Sequence, residues 1–275
     1  IKFYEQSLAI YRKTKNRVYE GGILISLGNA YIDLGDYNRA TEFYTQSLQI
    51  GQEQKDRQNQ GISLNNLGTS FLKLGNLAEA EKKLLAAIEI WESIRTDLGS
   101  KDSEKISVFE QQARSYRSLQ EVLVAQNRTS AALEVAERGR ARAFFDLLTR
   151  RLNPQSEAKP TITYPTLEDI KKIAKAQEAT LVQYSIIYED SKESALYIWV
   201  IKPTGEEVFR QVDLKSLRQQ NKSLTNLIPR IRRGINVRGG NTNEPLFKPG
   251  DRIHFKGDKP NTEPWEVISF DAQSG

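Results

Sequence analysis

The chain repeats one pattern of residues with a constant offset of 40 positions. The segment from Gly22 to Ile50 recurs, with the same spacing of apolar and small residues, from Gly61 to Ile90. Periods of this length are typical of stacked supersecondary units, none of which buries its apolar face alone. The matched packing positions are Leu24, Leu27, Gly28, Tyr31, Ala40 and Tyr44 in the first copy, and Leu64, Leu67, Gly68, Phe71, Ala80 and Leu84 in the second.

Each copy predicts two helices. The apolar residues of its first half lie three and four positions apart, which places them on one face of a helix. Gly35 then ends that helix, because glycine adopts the left-handed conformation that follows many helices. A second helix contains Ala40 and Tyr44. A glycine inside a helix costs about 1 kcal/mol relative to alanine, so Gly28 and Gly68 indicate that the two helices approach each other closely.

This spacing resembles the tetratricopeptide repeat, with leucine in place of the signature tryptophan. Two features depart from that family. The period is 40 residues rather than about 34, and the closing proline is missing. A second helix longer by about a turn and a half accounts for both departures. Helical repeats of the HEAT and armadillo kind share the longer period but lack the leucine-glycine-tyrosine spacing.

Polar side chains on the opposite side of the first helix of each copy are predicted to line a groove. Their amides and hydroxyls can bond the backbone or a carboxylate of a bound peptide. We therefore expect a protein–protein interaction scaffold whose protein or peptide ligand is of unknown identity. The alternative is that these side chains are simply solvated. The predicted groove residues are Ser26, Asn29 and Asp33 in the first copy, and Asn65, Asn66, Thr69 and Lys73 in the second.

The repeat array is predicted to extend over residues 1–152. The polar segment at 96–106 reads as a loop. A third, degenerate copy follows it and keeps the spacing if about 12 residues are inserted. A degenerate last copy suits the end of a stacked array. The residues that keep this spacing are Tyr116, Leu119, Leu123, Ala132, Ala136 and Gly139.

The character of the sequence changes after residue 152. Residues 153–165 hold three prolines and no helical period, which indicates a linker. Thr166 and Asp169 form a capping-box pattern that predicts a short helix to about Gln177. Segments rich in β-branched and aromatic residues then predict strands at 180–188, 195–201 and 207–212, followed by a helix at 214–233.

The repeats, the helical segment LEVAERGRARAFFDLL and the segment YIWVIKPTG together resemble the CHAT proteins. In that family tetratricopeptide repeats precede a caspase-like domain, and the resemblance covers about residues 1–240. It implies a mostly α fold, in which a tetratricopeptide-like α-solenoid is followed by a partial α/β (caspase-like) domain at 166–240. The family's domain is a cysteine peptidase with a His–Cys dyad, controlled by partners bound to the repeats. The dyad would lie beyond this chain, so the alternative function is the regulatory and leading portion of such a peptidase.

Composition excludes several kinds of site. The chain has no cysteine, so neither a cysteine nucleophile nor a thiolate metal site is present within these residues. His254 is the single histidine, and its context does not resemble the family's catalytic motif. The pair Gly239–Gly240 is too short for a phosphate-binding loop. We therefore expect no catalytic residue, metal, cofactor or small-molecule ligand. Residues 241–275 depart from the family and predict two short strands in a β-hairpin.

Residues 214–259 carry 11 Lys and Arg against 3 Asp and Glu, within a chain of net charge +5. A basic block of this kind attracts acidic partners or nucleic acid, which gives a second alternative function. A solvated basic surface is the simpler interpretation. With no run of about 20 apolar residues and no signal peptide, we expect a cytoplasmic protein without membrane contact. The lack of methionine and the start within a helical pattern indicate an internal fragment.

Overall fold

The computed structural model describes residues 1–97, 102–152, 164–189 and 192–214, with two short strands near the carboxyl terminus. For residues 102–107 and 141–152 only the backbone is described. The elements in chain order are α1 (Lys2–Lys13), α2 (Arg17–Asp33), α3 (Tyr37–Glu53), α4 (Arg57–Lys73), α5 (Leu77–Asp97), α6 (Asp102–Ala125), α7 (Thr129–Leu152), α8 (Leu167–Ala176), β1 (Leu181–Glu189), β2 (Lys192–Ile201), β3 (Glu207–Asp213), β4 (Arg252–Ile253) and β5 (Trp265–Glu266).

In the first copy the 40-residue period consists of two helices of equal length. α2, α3 and α4 each span 17 residues, and three-residue connections join them. The prediction that a longer second helix explains the period is therefore wrong. α2 already begins at Arg17, well before Leu24, because Asn16 caps it there by accepting a hydrogen bond from Tyr19 N. The additional residues are thus shared between both helices of a repeat.

The connections share one geometry. Gly35 and Gly75 have φ angles of 74° and 76°, and Lys15 and Lys55 have φ angles of 54° and 55°. These left-handed residues recur every 20 positions and belong to a helix-ending motif in which the next amide bonds a carbonyl of the last turn. For a lysine this conformation costs on the order of 1 kcal/mol, whereas glycine adopts it freely.

The residue after each left-handed position also starts the next helix. Asp36 N donates to Tyr31 O at 2.9 Å, and the Asp36 carboxylate accepts from Arg39 N at 3.1 Å. One residue therefore closes one helix and caps the following one. Side chains at the equivalent positions make the same cap, namely Asn16, Asp56 and Asn76.

The apolar cores cross from one repeat into the next. Leu67 of α4 packs with Tyr31 of α2 and Tyr44 of α3 in one buried cluster. Shared clusters of this kind stabilise a stack of repeats through interfaces between neighbours. Ion pairs join the start of each first helix to the end of its second helix, between Arg17 and Glu53 and, 40 residues later, between Arg57 and Asp97.

The third copy begins earlier than the sequence predicts. Residues 96–106 are predicted to form a loop, but α5 continues to Asp97 and α6 begins at Asp102. The segment is polar, yet Asp102 and Glu104 stand in the first turn of α6, where negative charge is favourable beside the helix amino terminus. Polarity alone was therefore a misleading sign of a loop here.

The predicted capping box at the start of α8 is confirmed. Thr166 Oγ1 accepts a hydrogen bond from Asp169 N at 3.2 Å, and Asp169 Oδ2 accepts one from Thr166 N at 3.1 Å. The Thr166 hydroxyl also donates to this carboxylate, and these bonds hold the pKa of Asp169 below its usual value. The helix predicted at 166–177 is thus observed as Leu167–Ala176.

Three strands follow α8 in the order β1-β2-β3 and form a small antiparallel sheet. They coincide closely with the predicted strands at 180–188, 195–201 and 207–212. β2 and β3 are joined by a tight turn in which Lys202 N donates to Glu206 O at 2.9 Å. Gly205 supplies the left-handed residue of this turn, with a φ angle of 86°.

An aromatic cluster anchors part of this sheet to the start of α7. The Trp199 ring lies 6.0 Å from Tyr197 and 5.2 Å from Phe209, measured between ring centroids. The Trp199 indole donates to Thr129 O at 2.8 Å, so its buried polar group is satisfied. Ser130 of α7 donates to the Glu207 carboxylate at 2.9 Å.

The described fold is therefore a mostly helical repeat array followed by a small three-stranded antiparallel sheet. The chain divides into two compact units, Ile1–Ile187 with Tyr197–Arg210, and Tyr188–Leu196 with Gln211–Gly275. In the second unit Leu214 N donates to Ser194 O at 2.9 Å. There β4 and β5 pair antiparallel, with Ile253 opposite Trp265, in the segment where a hairpin is predicted. The linker residues 153–163 and nearly all of the helix predicted at 214–233 lie outside the described residues.

Candidate functional site

The two helices of each repeat touch at a glycine. A Cβ atom on Gly28 would lie 2.4 Å from Tyr44 Cε1, and one on Gly68 would lie 2.5 Å from Leu84 Cγ. The two helices therefore pack so closely at these positions that only glycine fits there. The remaining packing residues are buried or packed against the buried clusters, namely Leu24, Leu27, Tyr31, Ala40, Leu64, Leu67, Phe71 and Ala80.

This packing fixes the orientation of an exposed amide. The Tyr44 hydroxyl donates to Asn29 Oδ1 at 2.6 Å, and Asn66 Nδ2 of α4 donates to the same oxygen at 3.4 Å. Burial, with the nearby negative charge of Asp33, raises the pKa of Tyr44 well above its usual value, so the hydroxyl keeps its proton. Asn29 therefore accepts through its oxygen, while its amide nitrogen donates to no other described residue.

The predicted groove residues differ in exposure. Asn29, Asp33 and Lys73 are exposed, whereas Ser26, Asn66 and Thr69 are half-buried. The hydroxyls of Ser26 and Thr69 donate to carbonyls one turn earlier, at 3.1 Å from Gly22 O and 3.0 Å from Asn65 O. Asn29 and Asn66 are thus the amides that the structure brings together on this side of α2 and α4.

Asn65 does not line an open surface, and this part of the prediction is wrong. Its side chain is only 3% exposed, and Asn65 Oδ1 accepts a hydrogen bond from Ser115 of α6 at 2.9 Å. The position lies between neighbouring first helices of successive repeats, where the equivalent residue of α2, Ile25, is partly buried. The prediction failed because α6 covers this part of α4, and its placement after an insertion cannot be read from the period.

A second polar cluster, around Glu92, was missed by the sequence analysis. The Glu92 carboxylate accepts from Tyr116 at 2.7 Å, from Arg138 at 3.0 and 3.1 Å, and from Tyr164 at 3.3 Å. The Arg138 guanidinium also lies 4.5 Å from the Tyr164 ring centroid, within the range of a cation–π contact. Tyr164, which belongs to the predicted linker at 153–165, is therefore bound against α5 and α7.

The cluster holds elements together and offers no reactive group. Burial alone would lower the pKa of Arg138, but the surrounding Tyr116, Glu92 and Tyr164 together raise it, so the Arg138 guanidinium keeps its positive charge. Burial, followed by the bond to Glu92, raises the pKa of Tyr116 well above its usual value, which keeps this hydroxyl a donor. Arg140 is exposed, whereas Arg138 is half-buried in this ion pair.

Other kinds of site find no support in the part of the chain that the structure describes. Among those residues no group of three or more His, Asp or Glu side chains is arranged to hold a metal ion. His254, Gly239–Gly240 and the side chains of the basic residues at 215–259 lie outside the described part. None of the described helices combines the length and the apolar character that a membrane-spanning helix requires.

The repeat region is similar to known repeat proteins. The family model described as "Tetratricopeptide repeat" matches residues 19–93. "Tetratricopeptide repeat protein 28" of Mus musculus is 36% identical over 127 residues, and its Homo sapiens counterpart is 35% identical over 127 residues. Each alignment covers 46% of this chain, which spans only 5% of the length of either relative.

A solved structure is also similar. The "Crystal structure of BtubC (BKLC) from P. vanneervenii" aligns with a TM-score of 0.45 and 20% sequence identity. The alignment covers 60% of this chain and 63% of that one. The family match agrees with the helix spacing and with the glycine contacts of α2 to α5. The match to the tetratricopeptide repeat model thus spans residues from α2 to α5.

Proposed function

We propose that the repeat array is a protein-interaction scaffold that binds a peptide across α2 and α4, at Asn29 and Asn66. The observation that carries this proposal is the shared amide oxygen of Asn29, which accepts from both Tyr44 and Asn66. The contact leaves the exposed Asn29 amide nitrogen as a donor held in one orientation. A held donor loses little side-chain entropy when it binds a carbonyl or a carboxylate.

Charged residues next to the Asn29–Asn66 pair differ in sign between the two repeats, which favours one orientation of a bound peptide. Asp33 and Lys73 occupy equivalent positions in the two repeats, 40 residues apart, and both are exposed. A bound peptide therefore meets donors at the amides and, next to them, side chains of opposite sign on α2 and α4, of which Lys73 already has a partner within the chain. Electrostatic complementarity of this kind selects orientation more than it adds affinity.

The proposal is tested by selecting ligands without assuming their sequence. A random peptide library displayed on phage is selected against the purified chain, and the affinities of enriched peptides are measured by calorimetry. We expect Asn29→Ala and Asn66→Ala each to weaken binding by about fivefold to tenfold, since each removes a hydrogen bond of about 1 kcal/mol.

Asn38→Ala is the matched control, because Asn38 is an exposed asparagine at the start of α3. It should leave the affinity unchanged. If no peptide is enriched, or if all three variants bind equally well, the scaffold does not use this surface.

We further propose that the sheet is the beginning of a caspase-like domain of the CHAT type. The order β1-β2-β3 and the tight turn at Gly205 support the hairpin on which the resemblance rests. The chain contains no cysteine to act as the nucleophile, so on this proposal it has no peptidase activity of its own. Casein incubated with the purified chain should stay intact, and cleavage would contradict the proposal.

The coding sequence beyond residue 275 provides the complementary test. A histidine and a cysteine, each following a hydrophobic strand, would make the present chain the leading and regulatory portion of a peptidase. A domain there without these residues would leave the scaffold function alone.

Nucleic-acid binding by residues 214–259 is the remaining candidate, favoured by their 11 basic against 3 acidic residues. Such binding releases counterions, so affinity should fall steeply as salt rises. A fluorescence anisotropy titration with single-stranded and double-stranded DNA and RNA measures this. Absence of binding at low salt would exclude the candidate and leave the block for acidic protein partners.

A further inference from the structure

The helix α1 repeats the sequence of α3. Residues 3–10 read FYEQSLAI and residues 43–50 read FYTQSLQI, so six of eight positions are identical at the 40-residue offset. The corresponding segment of α5, residues 83–90, keeps only the final isoleucine of these six. α1 is therefore the second helix of a repeat, and it carries the same packing side chains as α3.

Those side chains are exposed in α1 although they are buried in α3. Tyr44 is 2% exposed and Ile50 is 4% exposed, whereas their counterparts Tyr4 and Ile10 are 41% and 60% exposed. α3 packs against both α2 and α4, whereas the main partner of α1 among the described helices is α2, which corresponds to α4. No described helix takes the place beside α1 that α2 has beside α3.

The contacts between α2 and α3 specify the helix that this face accepts. A Cβ atom on Gly28 would lie 2.4 Å from the Tyr44 ring, and one on Gly21 would lie 3.3 Å from Ile50. The later glycine meets the earlier residue of α3, so the two helices are antiparallel. A helix that docks on α1 in the same way needs small residues seven positions apart, which lie on one helix face.

Two further positions of the docked helix follow from a polar and an aromatic contact. The Tyr44 hydroxyl donates to Asn29 Oδ1 at 2.6 Å. The Tyr31 ring stacks on the Phe43 ring, with 5.4 Å between the centroids. An amide one position after the second small residue, and an aromatic ring three positions after it, would make the same contacts with the equivalent side chains of α1.

The hydroxyl of Ser7 is the counterpart of a buried group that joins two helices. Ser47 of α3 donates to Gly21 O of α2 at 2.9 Å. Ser7 donates to Phe3 O of its own helix at 2.9 Å. A docked helix would bring a backbone carbonyl to this hydroxyl, at a place where only a residue without a side chain permits so close an approach.

The first helices of the described repeats cannot cover α1, because each of them already packs against a second helix. α2 packs against α3, α4 against α5 and α6 against α7. The glycines of α2 and α4 lie in those contacts. The covering helix therefore has to come from outside the described part of the chain.

We propose that α1 docks an amphipathic helix of a partner protein, which lies antiparallel to α1. The docked helix carries small residues at positions i and i+7, an amide at i+8 and an aromatic residue at i+10. This surface consists of side chains of α1, notably Phe3, Tyr4 and Ile10, and does not involve the amides Asn29 and Asn66 of the surface proposed above.

The probe is a synthetic peptide with the sequence of residues 16–34, blocked at both ends, which contains α2 and its cap. Its binding to the full chain is measured by calorimetry, and we expect a Kd below about 1 mM. In the peptide, Gly28→Ala places a methyl group against the Tyr4 ring and should weaken binding at least about tenfold.

Gly22→Ala in the peptide is the matched control. In α2 nothing lies within 4 Å of a Cβ atom added at Gly22, so the affinity should not fall. Both changes raise the helix propensity of the peptide alike, so a difference between them reports the contact with α1.

Variants of the chain place the peptide on α1. Ile10 is exposed, so Ile10→Glu leaves the fold intact and should weaken binding at least about tenfold by putting a charge in an apolar contact. Ala9→Glu adds the same charge at an exposed position whose counterpart in α3, Gln49, is exposed as well, and it should leave the affinity unchanged. Asn66→Ala should also leave it unchanged, which separates this result from that of the α2–α4 surface.

Several outcomes would overturn the proposal. The unmodified peptide could fail to bind, or the two glycine variants could bind equally well. Normal binding to Ile10→Glu would show that the peptide displaces α2 rather than covers α1. Sedimentation velocity tests a second copy as the occupant, through a dimer that Ile10→Glu dissociates. Coding sequence before Ile1 tests the same polypeptide as the occupant, if it encodes a helix of this pattern and the extended chain no longer binds the peptide.

Discussion

The first two repeats have the same backbone plan but different chemistry at equivalent positions. Both place a glycine where the two helices touch, at Gly28 and Gly68. The residue that fills the space is Tyr44 in the first repeat and Leu84 in the second. Tyr44 brings a hydroxyl that orients Asn29, whereas Leu84 brings only apolar surface. The groove amide is thus fixed by a side chain that the second repeat lacks.

The contrast continues at the junction that each repeat makes with the next helix. At the first junction Ser47 shares its one hydroxyl hydrogen between Gly21 O at 2.9 Å and Asn59 Oδ1 at 3.1 Å, and Ser63 donates to Asn59 Oδ1 at 3.3 Å. All three side chains are buried. The first junction is therefore a closed hydrogen-bonded network.

The second junction is built around an aromatic ring. Trp91 is 2% exposed and packs with Ala87, Ile94 and Val108. A Cβ atom on Gly61 would lie 2.7 Å from the Trp91 ring, just as one on Gly21 would lie 2.7 Å from Asn59 Nδ2. The small residue thus fixes how closely the elements approach, while the group that fills the space can be polar or apolar.

The largest expected effect is at the apolar junction. Trp91→Ala should lower the free energy of unfolding by about 3–5 kcal/mol, because it removes a fully buried ring and leaves a cavity. Urea unfolding followed by circular dichroism measures the change. A loss below about 1 kcal/mol would mean that α5 and α6 do not depend on this ring.

Substitutions at the polar junction should cost less stability than Trp91→Ala, and the effects of its individual side chains should depend on one another. Asn59→Ala should cost about 2–3 kcal/mol, because the Ser47 and Ser63 hydroxyls lose their shared acceptor in a buried place. Ser47→Ala in the same background should cost less than in the wild type, because the two side chains belong to one network. Additive losses in this double-mutant cycle would show that the hydroxyl and the amide act independently.

The loss of stability caused by adding a methyl group at each glycine should depend on the side chain that packs against it. Gly28→Ala should cost about 2 kcal/mol, since the rigid Tyr44 ring has to move. Gly68→Ala should cost less, because Leu84 can change its rotamer. Gly22→Ala is the matched control in α2, where nothing lies within 4 Å of an added Cβ, and it should stabilise the chain by about 1 kcal/mol. Thermal unfolding of the three variants tests this order, and equal losses at Gly28 and Gly22 would contradict it.

The smallest effect concerns the Tyr44 hydroxyl. Tyr44→Phe should cost about 1 kcal/mol at neutral pH, through the lost bond to Asn29. Burial raises the pKa of Tyr44, so its stabilising contribution is complete below pH about 10, where the unfolded tyrosine ionises, and is lost as the pH rises further. Urea unfolding across that alkaline range should therefore show a shallower loss in Tyr44→Phe than in the wild type. Identical slopes would contradict the raised pKa.

Local patterns predicted much of the fold. The helix-contact glycines, the capping box of Thr166 and Asp169, and the strands β1 to β3 could be inferred because each depends on residues close together in sequence or on an exact period. The lengths of α2 and α3 could not, since helix ends depend on caps that the apolar spacing does not report.

Contacts between distant residues account for what was missed. Asn65 looks like a surface residue in its own repeat, and only the placement of α6 after an insertion buries it. Glu92 binds Arg138 and Tyr164, which are 46 and 72 residues away and follow no period.

The connections between helices have a consequence for how the array can change in length. Turn geometry recurs every 20 residues, while the contact chemistry recurs every 40. Loss of one helix with its connection would preserve every turn yet bring each glycine against an unsuitable neighbour. Duplication or deletion within the gene can therefore preserve both the turn geometry and the glycine contacts only in steps of two helices. The connections at Lys15 and Lys55 are the natural boundaries of such a step.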